Sequence, residues 1–288
     1  MVPLTVTVTD GSGKFIRGLT GDDFTVYEDG VPQAVSFFAS EDVPVDVALV
    51  IDTSASMRAD LPLVMAAATG LVRALGPADR GAVVEVSDRA SIAQPLTDDR
   101  AQIVKAINGL SATGSTALYD GLYVVLREFE RERRSTPLVR RQVLVLLSDG
   151  LDNKSRLSFD DVQDVARRQA VSVYVIVLRA DGAKAARSAL AVPVLNAEYA
   201  MNTVARESGG RIFSPKAVGE LPAIYGAIAH ELASQYELGY TPVRPGGDGA
   251  YRRVTVRVSE KAKANARTRL GYYAARSPTA SLPGGVRQ

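Results

Sequence analysis

The 288-residue chain has no cysteine, no tryptophan and a single histidine, His230. Without thiols there can be no disulfide, no thiolate metal site and no cysteine nucleophile. A thiol-free chain suits either redox compartment, so its composition does not set one. One histidine excludes mechanisms that need two, and no nucleophile–histidine–acid set can be assembled around it. Also missing is any apolar run of the ~20 residues that a membrane-spanning helix requires. Charge of one sign is not in excess either: 34 Lys and Arg face 32 Asp and Glu, for a net charge of +2 with the signs mixed along the chain. A nucleic-acid surface would need a basic stripe, so no nucleic-acid partner is expected. The first ten residues lack the charged start and apolar block of a signal peptide. They alternate like a strand, as though the chain begins inside a folded element.

What is present falls into three regimes. Residues 1–43 read as β: Leu4, Val6 and Val8 alternate with threonines, Phe24–Glu28 is a short strand, Asp29-Gly30 is a turn, and Val31–Ala39 resumes strand composition. Residues 44–235 carry short, nearly continuous apolar runs at Val45–Ile51, Gly81–Val86, Val143–Leu147 and Val171–Leu178. Such runs suit strands buried on both faces of a parallel sheet. Helical stretches separate them: Leu61–Leu75, Arg100–Leu110, Ala117–Arg133, Phe159–Gln169 and Glu198–Glu207, with a last helix over Leu221–Gln235. Ser91–Leu96 suits an antiparallel edge strand and Arg211–Phe213 a short final one. This alternation predicts a doubly wound, mostly parallel six-stranded α/β sheet. Residues 236–276 return to β, with strands at Tyr236–Tyr240, Tyr251–Val258 and Leu270–Tyr273, a turn at Pro245–Gly249, and a loose tail over 277–288. Each β flank is too small to stand alone, whereas six or seven strands together are about what a sandwich needs. The expectation is one discontinuous β-sandwich with the α/β domain inserted in it; two separate sheets packed on the α/β core are the alternative.

Ligands of open α/β sheets bind beyond the carboxyl ends of the strands. Three loops there carry oxygen donors. Asp52, Ser54 and Ser56 follow the first buried strand and place a carboxylate and two hydroxyls at i, i+2 and i+4. Thr116 lies in Gly114-Ser115-Thr116-Ala117-Leu118-Tyr119-Asp120, ahead of a helix, where it serves as a helix cap or a ligand. Asp149 ends the strand Val143–Leu147. These are hard donors, suited to Mg²⁺ or another small divalent ion. They converge only if the strands leading to Asp52 and Asp149 are neighbours. Any one loop alone reads equally well as turn or cap chemistry.

The order Asp-x-Ser-x-Ser, then Thr, then Ser-Asp-Gly resembles the metal-ion-dependent adhesion site of von Willebrand factor type A domains, over roughly Val45–Gln235. The resemblance implies that Ser54, Ser56 and Thr116 are hydroxyl ligands of Mg²⁺ (or Mn²⁺ or Ca²⁺), and that Asp52 and Asp149 act directly or through water. The family often has Gly-Gly where this chain has Gly114-Ser115. The flanks, with Gly18–Gly30, Gln235–Tyr240 and Tyr251-Arg-Arg-Val-Thr-Val, resemble bacterial von Willebrand factor A-related proteins of the acidobacterial type. That group commonly carries an export signal, which implies a periplasmic or extracellular location.

Two carboxylates and three neutral hydroxyls leave a divalent cation open to a further acidic ligand. The implied function is therefore a non-enzymatic, metal-dependent binding module for a protein partner presenting Asp or Glu. A metal-assisted hydrolase, for which no general base is identifiable, and a scaffold with a vestigial site are the alternatives. In related adhesion domains the C-terminal helix shifts with the metal site; here Leu221–Gln235 runs directly into strand Tyr236 and is either such a coupling element or a static connector. His230-Glu231 begins like a zinc-protease helix, but Ser234 stands where the second histidine belongs. Gly11-Ser-Gly-Lys14 reads as a turn, Arg127–Arg141 as a solvated helix end with i,i+4 pairs, and Asp152 as a loop residue able to tune the site.

Overall fold

The computed structural model describes residues 1–40, 43–135, 139–149, 152–178, 191–244, 246–259 and 264–275, with backbone alone for 191–197. Pro245, Gly150 and the tail over 277–288, all singled out in the sequence, lie outside the described residues.

The N-terminal segment forms β1 (Val2–Thr9), β2 (Phe24–Glu28), β3 (Val31–Gln33) and β4 (Val35–Ala39). The Asp29-Gly30 turn joins β2 to β3 with positive φ at both residues, 48° and 84°, as a two-residue hairpin requires. The expected single strand over Val31–Ala39 is two. β3 stays on β2, whereas β4 crosses to another sheet.

The central region contributes β5 (Val45–Asp52), β6 (Arg80–Val86), β7 (Ala90–Thr97), β8 (Arg141–Ser148), β9 (Val171–Val177) and β10 (Ile212–Phe213). They form one six-stranded sheet in the order β10-β9-β8-β5-β6-β7, parallel except for β7, which runs antiparallel to β6. Its helices are α1 (Leu61–Ala74), α2 (Arg100–Asn108), α3 (Leu118–Ser135), α4 (Phe159–Arg168), α5 (Ala191–Glu207) and α6 (Leu221–Leu232). Strand alternation sorts the core into two layers. Val47, Leu49 and Ile51 of β5 pack with α1, α2 and α6, while Ala48 and Val50 pack with α3, α4 and α5. Helices on both faces explain why all eight residues of β5 are buried.

The C-terminal segment adds β11 (Tyr236–Tyr240), β12 (Tyr251–Val258), β13 (Asn265–Arg267) and β14 (Gly271–Tyr273). The two flanks interleave into two four-stranded sheets, β13-β1-β11-β4 and β14-β12-β2-β3. Their pairings are antiparallel. Leu4, Val6 and Leu238 of one sheet share a single apolar core with Val26, Val254 and Val256 of the other. This is the sandwich expected from the sequence, with eight strands rather than six or seven; the additions are the division of Val31–Ala39 into β3 and β4, and β13, three residues with no apolar alternation of their own.

The arginine-rich stretch divides. Arg127, Arg131 and Arg134 pair along α3 with Glu130 and Glu128; the Glu130–Arg134 pair has the expected i,i+4 spacing, and the other two are i,i+3. Arg140 and Arg141, by contrast, are structural. Arg140 binds Asp46 through Nε at 2.6 Å, and Arg141 donates to the carbonyls of Val43 and Leu232. The junction of sheet and sandwich is polar and buried. Glu231 of α6, with no exposed surface, accepts hydrogen bonds from Tyr174 (2.6 Å), Arg211 (3.3 Å), Thr7 (3.4 Å) and Arg267. Thr7 and Arg267 belong to the sandwich and Tyr174 to the central sheet, so α6 is fastened to both.

Candidate metal centre at the carboxyl edge of the central sheet

β5 and β8 are adjacent and parallel, with Ile51 opposite Leu147. The condition for convergence of the first and third loops is thereby met. Asp52 ends β5 with its side chain fully buried. Its Oδ1 accepts the Ser54 backbone N–H at 2.9 Å, a tight local turn that aims the loop back over the strand end. Its Oδ2 accepts the Ser148 hydroxyl at 2.7 Å from the neighbouring strand. The Ser54 and Ser56 hydroxyl oxygens are 3.0 Å apart, and Ser56 Oγ donates to Asp149 Oδ2 at 2.7 Å. Asp52, Ser54, Ser56 and Asp149 thus form one oxygen network across two loops.

The Thr116 loop is tied to the same place through its backbone. Ala55 N–H donates to the Gly114 carbonyl at 3.0 Å, and Thr113 N–H to the Thr53 carbonyl at 2.7 Å. Thr116 is buried. Its N–H donates to Asn153 Oδ1 at 3.0 Å, and its carbonyl accepts from the N–H groups of Asn153 and Lys154, which joins it to the loop after Asp149. Gly114 has φ of +71°, and a Cβ there would stand 2.7 Å from Asp88 Oδ2. Glycine is therefore required at 114. Residue 115 only donates its N–H to Asp88, at 2.9 Å, so serine serves there as well as glycine.

Burial pushes the Asp52 carboxyl above the ordinary carboxylate range; the charge of Asp149 adds to this, while the hydrogen bonds from Ser54 and Ser148 oppose it. Its hydrogen-bond partners are neutral, and among the described residues it forms no ion pair. Two nearby carboxylates, one deeply buried and ringed by hydroxyls, suit a small hard cation. Among the described residues no cluster of three or more His, Cys, Asp or Glu side chains offers a conventional metal site. A ligand set built on neutral hydroxyls differs from such a cluster by its chemistry.

Sequence reasoning did not assign a role to Ser148 or Asn153. The signal for Ser148 was a polar residue directly after the apolar run Val143–Leu147, and it is buried. Asp152 is a structural residue: its carboxylate accepts the Tyr119 N–H at 2.9 Å and caps the start of α3, besides bonding Ser155. Gly11–Lys14 is the turn expected, held by Asp10. His230 is exposed and meets the ring of Phe15 edge-on, 5.2 Å between centroids.

Known proteins agree with this fold. A UPF0353 protein of Mycolicibacterium paratuberculosis (strain ATCC BAA-968 / K-10) is 27% identical over 225 residues, 73% of this chain and 66% of that protein. Among solved structures, a von Willebrand factor type A protein from Catenulispora acidiphila superposes with a TM-score of 0.56 at 12% identity, over 89% of this chain and 74% of that one. Proximal thread matrix protein 1 from the mussel byssus, in a form with a zinc-occupied MIDAS motif, superposes with a TM-score of 0.51 at 20% identity. That match covers 71% of this chain but 49% of the byssus protein. Domains of this type mediate protein binding and often hold a divalent cation at such a site. The von Willebrand factor type A domain family matches residues 46–225, well over half of the chain, and the chain belongs to that family.

Proposed function

We propose that this chain is a metal-ion-dependent binding module for a protein partner. Asp52, Ser54, Ser56, Thr116 and Asp149 would hold Mg²⁺, or Mn²⁺ or Ca²⁺ in its place. The ion would supply a coordination position for an Asp or Glu carboxylate of the partner. The observation that carries this reading is the oxygen network Ser54–Ser56–Asp149 beside the buried Asp52. Asp52 provides fixed negative charge held by Ser54 and Ser148. Ser56 is exposed and Asp149 partly so, and their network opens to solvent at the sheet edge, where a partner can reach it. Neutral hydroxyl ligands leave the cation more electron-poor than a ring of carboxylates would, which favours an incoming anion.

Binding rather than catalysis fits the surroundings. The only histidine lies on α6, against Phe15, and the nearby Asp88, Asp120 and Asp152 accept backbone N–H groups. We further propose an exported protein, on the likeness of its flanks to bacterial proteins of that kind.

Immobilised wild-type chain and an Asp52→Ala variant, challenged with the source proteome with and without chelator, test the reading. A partner retained by wild type, released by chelator and absent from the variant is the expected result. Identical retention under all conditions would contradict it.

A further inference from the structure

Beside the candidate metal centre runs an open groove of about 710 Å³, lined by Asp88, Arg89, Asp120, Tyr123, Lys154 and Arg156 among others. Both walls are anchored to the Thr116 loop. On one side Asp88 accepts the Ser115 N–H at 2.9 Å; on the other the Lys154 N–H donates to the Thr116 carbonyl at 3.1 Å. The groove therefore begins where the metal-site loops end.

Its charges are unequally committed. Asp88 is engaged by Ser115, and Asp120 accepts the N–H groups of Arg156 and Leu157 at about 3.2 Å. Asp152, just behind, is engaged by Tyr119 and Ser155. The side chains of Arg89, Lys154 and Arg156 are exposed and, among the described residues, make no hydrogen bond or ion pair. This contrasts with the neighbouring arginines of α3, which are paired with glutamates. Asp88 and Asp120 keep their charge, but their oxygens are already taken up by backbone N–H groups. Three exposed cations against these two carboxylates leave the groove a net positive charge and, with Tyr123 and Val124 half-buried in the floor, make it complementary to further anions next to the one on the metal.

Resting on the metal-dependent reading above, we infer that the partner presents an acidic segment: one carboxylate at the Asp52 centre and additional Asp or Glu side chains flanking it on Arg89, Lys154 and Arg156. The partner class is thus a protein with clustered acidic residues, not one with an isolated Asp or Glu.

The test uses the full chain, excess Mg²⁺ and two probes followed by amide chemical shifts: a short acetylated peptide amide with one aspartate among serines and glycines, and the same peptide with the serines replaced by glutamates. The acidic peptide is expected to bind about five- to tenfold tighter, with shifts at residues 89 and 154–157. The triple variant Arg89→Gln, Lys154→Gln, Arg156→Gln should lose that advantage while binding the single-aspartate peptide unchanged. Metal-dependent binding of both peptides with equal affinity, or an advantage that survives in the triple variant, would overturn the inference and leave the metal reading standing. Tight binding of the acidic peptide that persists under chelator would separate groove from metal centre and also count against it. If neither peptide shifts any amide while Mg²⁺ is bound, the metal-dependent reading fails, and the inference with it.

Discussion

Ser148 donates its hydroxyl proton to Oδ2 of Asp52 across 2.7 Å, from one central strand to the next. The bond fixes the buried carboxylate without neutralising it. Ser148→Ala should leave the fold intact and weaken Mg²⁺ binding about tenfold, the usual scale for losing a group that orients a ligand. Calorimetric titration of the variant checks this.

Arg267 of the sandwich and Glu231 of α6 form an ion pair across the junction, with Glu231 fully buried and Arg267 about a third exposed (side-chain accessibilities 0% and 32%). Arg267→Ala leaves that carboxylate with Arg211, Tyr174 and Thr7 only. Breaking a buried pair by removing one partner costs about 3–5 kcal/mol, and the exposure of Arg267 with the surviving Arg211 contact lowers the expectation to about 2–3 kcal/mol. Urea unfolding of the variant measures it. The same arrangement bears on α6 as a connector: the helix end is fastened to both sheet and sandwich, so any shift of α6 must break this cluster.

Glu237 of β11 is buried, its Oε1 accepting the Thr5 hydroxyl at 2.6 Å, and burial raises its pKa to about 7. The folded state then binds this proton more tightly than the unfolded chain, whose value is near 4.5. Its contribution is therefore fully favourable below the unfolded value and declines as pH rises toward 7, by about 3 kcal/mol in total. Glu237→Gln, which keeps an acceptor for Thr5, should flatten the decline between pH 5 and 8 and be the more stable protein at pH 8. Unfolding midpoints across that range decide it.

Gly210, just before β10, lies against the backbone of β9: a Cβ would stand 1.9 Å from the Val173 carbonyl oxygen. No side chain can yield there. Gly210→Ala should cost about 3 kcal/mol or more, read from thermal or urea unfolding.

The parallel sheet was legible because its strands are buried on both faces, so Val45–Ile51, interrupted only by Asp46, and Val143–Leu147 read as nearly continuous apolar runs. Two of the three candidate loops, those carrying Asp52 and Asp149, were legible because they follow those runs directly; the Thr116 loop lies between α2 and α3 and follows no such run. The two-layered β region was visible in outline from the alternation of Leu4, Val6 and Val8 and of Val254 and Val256. β13 was not, since Asn265–Arg267 is held by pairing with β1 and by the reach of Arg267 to Glu231, both long-range. The roles of Arg140 and Arg141 were hidden for the same reason. A run of arginines reads as solvated until Asp46 and the carbonyls of Val43 and Leu232 are brought beside it.

The proposed function rests on Asp52 anchoring a divalent cation. Calorimetric titration of Mg²⁺ into the wild-type chain and into Asp52→Ala, with folding of both verified by circular dichroism, tests it most directly. Saturable one-site binding to wild type and none to the folded variant is the expected result. No binding to wild type by Mg²⁺, Mn²⁺ or Ca²⁺, or equal binding to both proteins, would contradict it.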